Sequence, residues 1–254
     1  MSLDILDLDG GVRVLRLASP PVNALGPALV GRLRDALDAA VQDQVGAVVL
    51  AGGPKVFSAG LDVPALLELE RDAMLAFWRD FLGLAARLAR APMPVAAAID
   101  GHSPAGGAVL ALYCDVRIMA RGPFKIGLNE VQVGLPVPAV IQAAMRRQVG
   151  PRLAEQLLVA GAMVDSERAL AIGLVDALCE PGQAQADAVD WCRQRLALPR
   201  QAMLATRREA RADLAGIFAG EGALDLHGLT DAWFGDETQA TMRALVERLK
   251  APRG

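Results

Sequence analysis

Residues 100–115, DGHSPAGGAVLALYCD, constrain the fold most, because they join a buried strand to a helix through a tight turn. The preceding residues 95–99 are a continuous apolar run behind two prolines, which is typical of a buried strand. An Ala/Leu/Val run of helical length begins at Ala105. Free N–H groups are expected at its start, near Gly106 and Gly107, where a missing Cβ lets a ligand oxygen approach. Such a turn can bind an oxyanion, although a Gly-Gly pair can also serve only to pack helix on strand.

The same alternation of strand, loop and helix runs along the chain and predicts an α/β fold. Alternating apolar and polar residues predict an opening hairpin, and later apolar runs predict further strands, at 3–8, 12–17, 45–51, 116–120, 124–126 and 174–179. Helical periodicity and end signals predict helices over 27–42, from Pro64 to Arg90 with a break near Gly83, over 138–150 and 152–160, and from an N-cap at Asp165 or Ser166 to Gly173.

The composition shifts after residue 183 to Ala/Arg/Leu/Glu helices, with breaks predicted at Pro199, at 216–222 and at Gly235. We therefore predict two parts, a core of residues 1–198 and a helical region of residues 199–254. No Ser/Gly linker separates them, so the helical region is expected to pack on its own or a neighbouring subunit.

Composition excludes several classes of protein. With 53% hydrophobic and 22% charged residues, and no apolar stretch of the ~18 residues that a membrane span needs, the chain is expected to be soluble and ordered. A net charge of −3, one tyrosine and six phenylalanines argue against nucleic-acid binding. Cys114, Cys179 and Cys192 lack zinc-site spacing and are predicted to be reduced core thiols of a cytoplasmic protein. The N-terminus, MSLDILDLDGG, lacks the pattern of a signal or transit peptide.

Three loops, at 57–63, 101–107 and 127–134, each follow a predicted strand. In α/β folds such strand ends gather into one site. The first loop offers N–H donors around Gly60 and Leu61, and the second offers them at Gly106.

The third loop offers one carboxylate, Glu130, with apolar flanks at Leu128, Val131, Val133 and Leu135. If this side chain faces inward, desolvation raises its pKa towards neutrality, and it can then take and return protons. A solvated loop acid or a helix cap is the alternative.

A serine nucleophile is the competing interpretation of the second loop, since GHSPAG resembles the G-x-S-x-G elbow of hydrolases with one residue out of place. Pro104 argues against it, because the residue after the serine donates its N–H to the oxyanion in those enzymes and proline has none. The only downstream histidine is His227, in the helical region. We expect His102 and Ser103 to be turn residues that satisfy the backbone.

Five motifs in order carry a resemblance to a known family: PPVNAL at 20–25, VFSAGLD at 56–62, PAGG at 104–107, CDVRIMA at 114–120 and GLNE at 127–130. From about residue 5 to residue 180 the sequence resembles the crotonase (enoyl-CoA hydratase/isomerase) superfamily, with a helical tail of the expected length. Within it, the sequence is most similar to the mitochondrial-type Δ3,Δ2-enoyl-CoA isomerases.

The resemblance implies an α/β fold, a spiral of ββα units with a C-terminal helical oligomerisation region that forms homotrimers or dimers of trimers. It also implies that a coenzyme A thioester binds with its carbonyl between the backbone N–H groups of Leu61 and Gly106. Loop residues would line the CoA pocket, and Asn129 would sit beside the acyl group; these loop residues are Ala59, Gly60, Leu61, Asp62 and Val63. Neither a metal nor a redox cofactor is implied.

The reaction implied is isomerisation. Hydratases of the superfamily hold their water with two glutamates, and Val109 occupies the position of the first. Glu130 alone could move a proton from C2 to C4 of a 3-enoyl thioester, which would serve β-oxidation of unsaturated fatty acids. An enoyl-CoA hydratase and a non-catalytic acyl-CoA-binding protein are the alternatives.

A group of four apolar residues and a C-terminal lysine each have two interpretations. Four apolar residues could line the acyl-tail pocket or belong to the core: Leu66, Met74, Phe77 and Trp78. Lys250 could contact a CoA phosphate or lie in solvent at a helix end.

Overall fold

The computed structural model describes residues 2–220 and 223–250. Its strands are Ser2–Leu8 (β1), Val12–Ala18 (β2), Ala47–Ala51 (β3), Val95–Ile99 (β4), Ser103–Pro104 (β5), Val116–Ala120 (β6), Lys125–Gly127 (β7), Met163–Asp165 (β8) and Ala177–Cys179 (β9).

Its α-helices are Pro27–Gln42 (α1), Val63–Leu66 (α2), Arg71–Arg90 (α3), Gly106–Leu112 (α4), Ala139–Val149 (α5), Pro151–Ala160 (α6), Ser166–Ala171 (α7), Ala184–Leu196 (α8), Arg200–Ala210 (α9), Ala212–Gly216 (α10), Leu226–Trp233 (α11) and Asp236–Lys250 (α12). One 3-10 helix, Glu130–Val133, follows β7.

The main sheet has six strands in the order β1-β2-β3-β4-β6-β9. The hairpin β1–β2 is antiparallel, as the alternating pattern around Gly10-Gly11 predicts, and every later neighbour is parallel. Parallel neighbours need crossover connections, which the intervening helices provide. The carboxyl ends of β3 and β4 therefore lie side by side, and the loops that follow them start from one edge of the sheet.

Both faces of the main sheet are covered, which explains why its central strands are continuous apolar runs. In β3, Val48 and Leu50 face the large core built with α1, α3 and α4, whereas Val49 faces a smaller cluster under α8. In β4 the residues on the α8 side are Ala96 and Ala98, both fully buried, so α8 can pack closely on the strand.

A second sheet, in the order β5-β7-β8, holds the second and third loops together. β5 pairs in parallel with β7, and β7 pairs antiparallel with β8. The Ala105 N–H also donates to the Gly127 carbonyl at 2.8 Å. Gly127 must lack a side chain, because a Cβ there would lie 2.3 Å from the Ala162 backbone oxygen.

The predicted helix break near Gly83 is wrong. α3 runs without interruption from Arg71 to Arg90, and the interruption falls earlier, between α2 and α3. A Cβ at Gly83 would meet only the end of the Arg87 side chain, at 3.5 Å, while Phe81, Leu82 and Leu84 are buried beside it. Burial of this apolar face outweighs the roughly 1 kcal/mol that a glycine costs inside a helix.

The remaining sequence expectations about the elements agree to within a few residues at their ends. Asp165 is the N-cap of α7, as predicted, with its carboxylate accepting from the Arg168 N–H at 2.8 Å. The three cysteines are free and buried, and burial raises the pKa of each thiol to about 12. Of the predicted break at 216–222, residues 221 and 222 lie outside the described residues, as does the side chain of Lys250.

The C-terminal helices are tied to the core by an ionic cluster of side chains that are 10 to 12% exposed. Arg207 of α9 donates two bonds of 2.8 Å to Asp115 and one of 2.6 Å to the Ala91 carbonyl. Arg211 donates to the Tyr113 carbonyl at 2.7 Å and lies 3.4 Å from Asp115, whose other bond fixes the Val95 N–H. One carboxylate therefore joins the start of β4, the end of α4 and the tail. In residues 2–220 and 223–250 no helix is long and apolar enough to cross a membrane.

Candidate active site

The first loop is held in place by the segment before α1. Leu25 pairs with Leu61: the Leu25 N–H donates to the Gly60 carbonyl at 2.8 Å, and the Asp62 N–H donates to the Leu25 carbonyl at 3.2 Å. The Asp62 carboxylate accepts from the Ala65 N–H at 3.3 Å and so caps α2. The loop backbone is therefore fixed on both sides of Leu61.

The second loop is an abrupt entry into a helix. Ala105 has φ of +46° and ψ of −119°, a left-handed conformation that residues with a Cβ rarely adopt, and α4 begins at the next residue. Backbone conformations of this kind cluster at functional sites. The turn places the N–H groups of Gly106 and Gly107 at the free N-terminal end of α4.

The two loops meet backbone to backbone. A Cβ on Gly60 would lie 3.3 Å from the Gly106 nitrogen, and a Cβ on Gly106 would lie 3.4 Å from the Gly60 Cα. Gly60 has φ of +88°, which favours glycine as well. Within the described part of the chain the N–H groups of Leu61 and Gly106 have no acceptor. These two unsatisfied donors, in adjoining loops, are the arrangement that oxyanion binding requires.

Glu130 is the first residue of the 3-10 helix, and it is buried, with only 8% of its surface exposed. Burial raises the pKa of its carboxyl group to about 7, the direction that its apolar flanks predict. Its Oε2 atom is buried and has no hydrogen-bond partner among the residues described. A carboxyl group in this condition can exchange a proton with a bound substrate near neutral pH.

Asn129 precedes Glu130, and its Oδ1 atom is likewise buried without a partner in the described regions. The loop that carries both residues packs on the end of α6. Gln132 donates to the Gly161 carbonyl at 2.9 Å, and a Cβ on Gly161 would lie 3.4 Å from the Asn129 Cα. Gly161, with φ of +58°, ends α6 and leaves room for this loop.

The nucleophilic-serine interpretation has no support in the geometry. The Ser103 hydroxyl is fully buried and, within the described residues, bonds to no histidine and to no backbone group. The expectation that Ser103 satisfies the backbone is therefore wrong, because β5 buries its side chain beneath α4. For His102 the expectation is confirmed, since its Nδ1 accepts from the Lys125 N–H at 3.1 Å.

Sequence reasoning assigned no role to Asn23 and Ser58, although both lie in the quoted motifs. Asn23 is 6% exposed, with φ of +52°, and its amide group donates to the Phe57 carbonyl at 3.1 Å. Ser58 is fully buried; its hydroxyl donates to the Asn23 carbonyl at 2.8 Å and accepts from the Gly60 N–H at 3.2 Å. The signal that could have found them is a polar residue with apolar neighbours on both sides: Asn23 lies between Val22 and Ala24, and Ser58 lies between Phe57 and Ala59.

The apolar residues that could line a tail pocket are all in the large core: Leu66, Met74, Phe77 and Trp78. Trp78 also meets Trp233 of α11 edge to face, with ring centroids 6.2 Å apart. Val109, on α4, is 1% exposed. Over residues 2–220 and 223–250 no group of three or more His, Cys, Asp or Glu side chains could hold a metal ion.

Comparison with known proteins identifies the class. The model of the enoyl-CoA hydratase/isomerase family matches residues 7–252, so the chain belongs to that family, within the crotonase superfamily. It is 31% identical to the human mitochondrial enoyl-CoA delta isomerase 1 over 98% of this chain and 83% of that protein. It is 34% identical to a probable enoyl-CoA hydratase of Mycobacterium avium over 78% of this chain and 77% of that protein.

Solved structures agree on the fold. The crystal structure of the human mitochondrial Δ3,Δ2-enoyl-CoA isomerase superimposes with a TM-score of 0.92 at 31% identity, covering 98% of this chain and 99% of that one. An enoyl-CoA hydratase from Mycobacterium ulcerans superimposes with a TM-score of 0.79, also at 31% identity, over 92% of this chain and 99% of that one. The expected crotonase-type α/β fold is thereby confirmed.

Proposed function

We propose that this enzyme is a Δ3,Δ2-enoyl-CoA isomerase that moves the double bond of a 3-enoyl-CoA to the 2-trans position. The observation that carries the proposal is Glu130, a single buried carboxyl group with a pKa near 7 and an unpartnered oxygen. Similarity to the human isomerase over nearly the whole chain supports it.

In the proposed mechanism the thioester carbonyl accepts hydrogen bonds from the N–H groups of Leu61 and Gly106. Glu130 removes a proton from C2, and the two N–H groups stabilise the negative charge that develops on the oxygen of the dienolate. Glu130 then returns the proton to C4, which leaves a 2-trans double bond conjugated with the thioester. Burial suits this cycle, because it brings the pKa of the carboxyl group near the working pH.

Hydration is the second candidate, since the family and the relatives of this chain include proteins named as hydratases. Adding water needs a group that holds the water as well as a group that activates it. Val109 is buried and apolar at the position where the family's hydratases carry their other glutamate, so we place isomerisation first.

The CoA pocket, the assembly and the compartment belong to the same proposal. The loop from Ala59 to Val63 would line the CoA pocket, and Asn129 would contact the acyl group. A homotrimer or a dimer of trimers is supported by α9, in which no residue is buried, and by an apolar groove of about 500 Å³ beside it, near Trp191 and Met203. A cytoplasmic location stays a prediction, and the human relative is mitochondrial by name.

The test is turnover of 3-hexenoyl-CoA and of crotonyl-CoA by the purified protein, followed as formation and loss of the conjugated 2-enoyl thioester. Isomerisation without hydration is expected. A Glu130→Gln variant should lose turnover and keep its affinity for the thioester, whereas Glu155→Gln, at an exposed position on α6, should behave as wild type. Full activity in Glu130→Gln refutes the mechanism, and efficient hydration of crotonyl-CoA refutes the assignment to isomerases.

A further inference from the structure

We infer that Ser58 positions the oxyanion donors: its hydroxyl group fixes the Ala59–Gly60 peptide, directly before the peptide that carries the Leu61 N–H, and its backbone oxygen and Cβ support the helix that carries the Gly106 N–H. The inference rests on the proposed function, which gives those two N–H groups their role. Ser58 itself is fully buried, so it is a positioning residue that acts through its neighbours.

The first step concerns the peptide group between Gly60 and Leu61. Its carbonyl accepts from the Leu25 N–H at 2.8 Å. In a trans peptide the C=O and N–H bonds point in opposite directions. The Leu61 N–H is therefore directed away from Leu25, and any rotation of this peptide changes its direction.

The second step concerns the preceding peptide group, between Ala59 and Gly60, because its orientation determines where the Gly60–Leu61 peptide begins. Gly60 has φ of +88°, and glycine has no side chain to hold such a conformation. The Gly60 N–H donates to the Ser58 hydroxyl at 3.2 Å, and the same hydroxyl donates to the Asn23 carbonyl at 2.8 Å. Asn23 is in turn held by its bonds to the Phe57 carbonyl and the Ser19 N–H, at 3.1 and 2.9 Å. One hydroxyl therefore closes a fully buried link between the opening segment and the loop.

The third step brings in α4. A Cβ on Gly107 would lie 2.9 Å from the Ser58 backbone oxygen and 3.2 Å from the Ser58 Cβ, so the first turn of α4 rests directly on Ser58. The residue that holds the peptide before Leu61's own peptide therefore also contacts the helix that carries Gly106. A small hydroxyl residue meets both requirements, since it offers a donor and an acceptor and fills little space.

Ser58→Ala removes both hydrogen bonds and keeps the contact with α4. Because a small misplacement of reacting groups can cost about 100-fold in rate, we expect kcat for 3-hexenoyl-CoA to fall about 10- to 100-fold with KM changed less than about twofold. Ser166→Ala is the matched control, since that serine is 1% exposed and begins α7. It should leave kcat and KM unchanged.

The deciding measurement is the infrared carbonyl band of hexanoyl-CoA, labelled with ¹³C at the thioester carbonyl. Donors aimed at the oxygen move this band to lower wavenumber on binding, so the displacement should be large in wild type and clearly smaller in Ser58→Ala. This readout needs no turnover. If wild type fails to isomerise 3-hexenoyl-CoA and the band still behaves in this way, the proposed function fails and the positioning role stands.

Three outcomes overturn the inference: no displacement in wild type, an equal displacement in wild type and Ser58→Ala, or, where wild type isomerises the substrate, an unchanged kcat in Ser58→Ala. Ser58→Cys keeps a weaker donor and acceptor in the same place and should give an intermediate displacement. It replaces Ser58→Ala as the test if the alanine variant does not fold, and a displacement equal to that of wild type again overturns the inference.

Discussion

Glu130 should make the folded protein less stable as the pH rises, and Glu130→Gln should remove that cost. The carboxyl group has an ordinary pKa of 4.5 and a pKa of about 7 in the folded protein. Below pH 4.5 it is protonated in both states and costs nothing. Between these values only the unfolded chain ionises freely, and above about pH 7 the folded protein must hold a buried charge, so stability is lost as the pH rises through this window.

The size of the effect follows from the two pKa values. At about 1.4 kcal/mol for each pH unit between them, the full cost is about 3 kcal/mol. Linkage gives about 1 kcal/mol of this at pH 5 and nearly all of it at pH 8. Relative to wild type, Glu130→Gln should therefore gain about 2 kcal/mol in the free energy of unfolding between pH 5 and pH 8.

Urea unfolding of both proteins at pH 5, 6, 7 and 8, at one protein concentration, measures the difference. Other carboxylates titrate equally in the two proteins and cancel, and any fixed cost of the new amide appears as a constant offset. Glu155→Gln, at a position that is 63% exposed, is the control for the same substitution at the surface. A flat or falling difference for Glu130→Gln would show that the carboxyl group is not desolvated in the folded protein, and the reasoning about the proposed base would fail with it.

Three other predictions concern activity and stability. The value of kcat/KM for 3-hexenoyl-CoA should fall about tenfold per pH unit below pH 7, because Glu130 must be ionised to act as the base; a profile flat down to pH 5 contradicts this. Asp115→Asn should lower the free energy of unfolding by about 3 kcal/mol in urea titrations, because it leaves two arginines, whose side chains are only 12% and 10% exposed, without their carboxylate. Arg208→Met, at an exposed pair, should change it little. Gly107→Ala should reduce kcat at least about tenfold, since its Cβ would lie 2.9 Å from a backbone oxygen of the neighbouring loop. Gly31→Ala, where a Cβ would meet nothing within 4 Å, should be slightly stabilising, and equal activity losses in the two glycine variants would contradict the steric argument.

Local patterns were enough to predict most of the fold. Apolar runs and their flanking prolines and glycines located the buried strands, because both faces of the parallel sheet are covered. The prediction of a helix break near Gly83 failed for a physical reason. The low helix propensity of glycine acts at one position, whereas α3 buries apolar residues along its whole length. The break between α9 and α10, at Arg211, gave no sequence signal, since that residue is helix-forming and is set by bonds to the Tyr113 and Cys114 carbonyls.

In the candidate site, a residue's role could be predicted only where it depends on the residues next to it in the sequence. Apolar flanks predicted desolvation of Glu130 only if its side chain faces inward, and the fold decides between that and a solvated acid by burying it. The roles of Asn23 and Ser58 depend on bonds between segments 35 residues apart. Such contacts leave no periodic trace along the chain, and only the folded arrangement brings the two residues together.

The carboxylate of Asp115 has a consequence for how the molecule opens. It binds the first residue of β4 and two arginines of the helical tail at once. Release of α9 into solvent would therefore leave this carboxylate without Arg207, beside the strand that leads into the turn at Ala105. Unfolding of the C-terminal helices is therefore coupled to unfolding of β4. The C-terminal helices and the sheet should belong to one cooperative unit, and the backbone amides of both should exchange their hydrogens together.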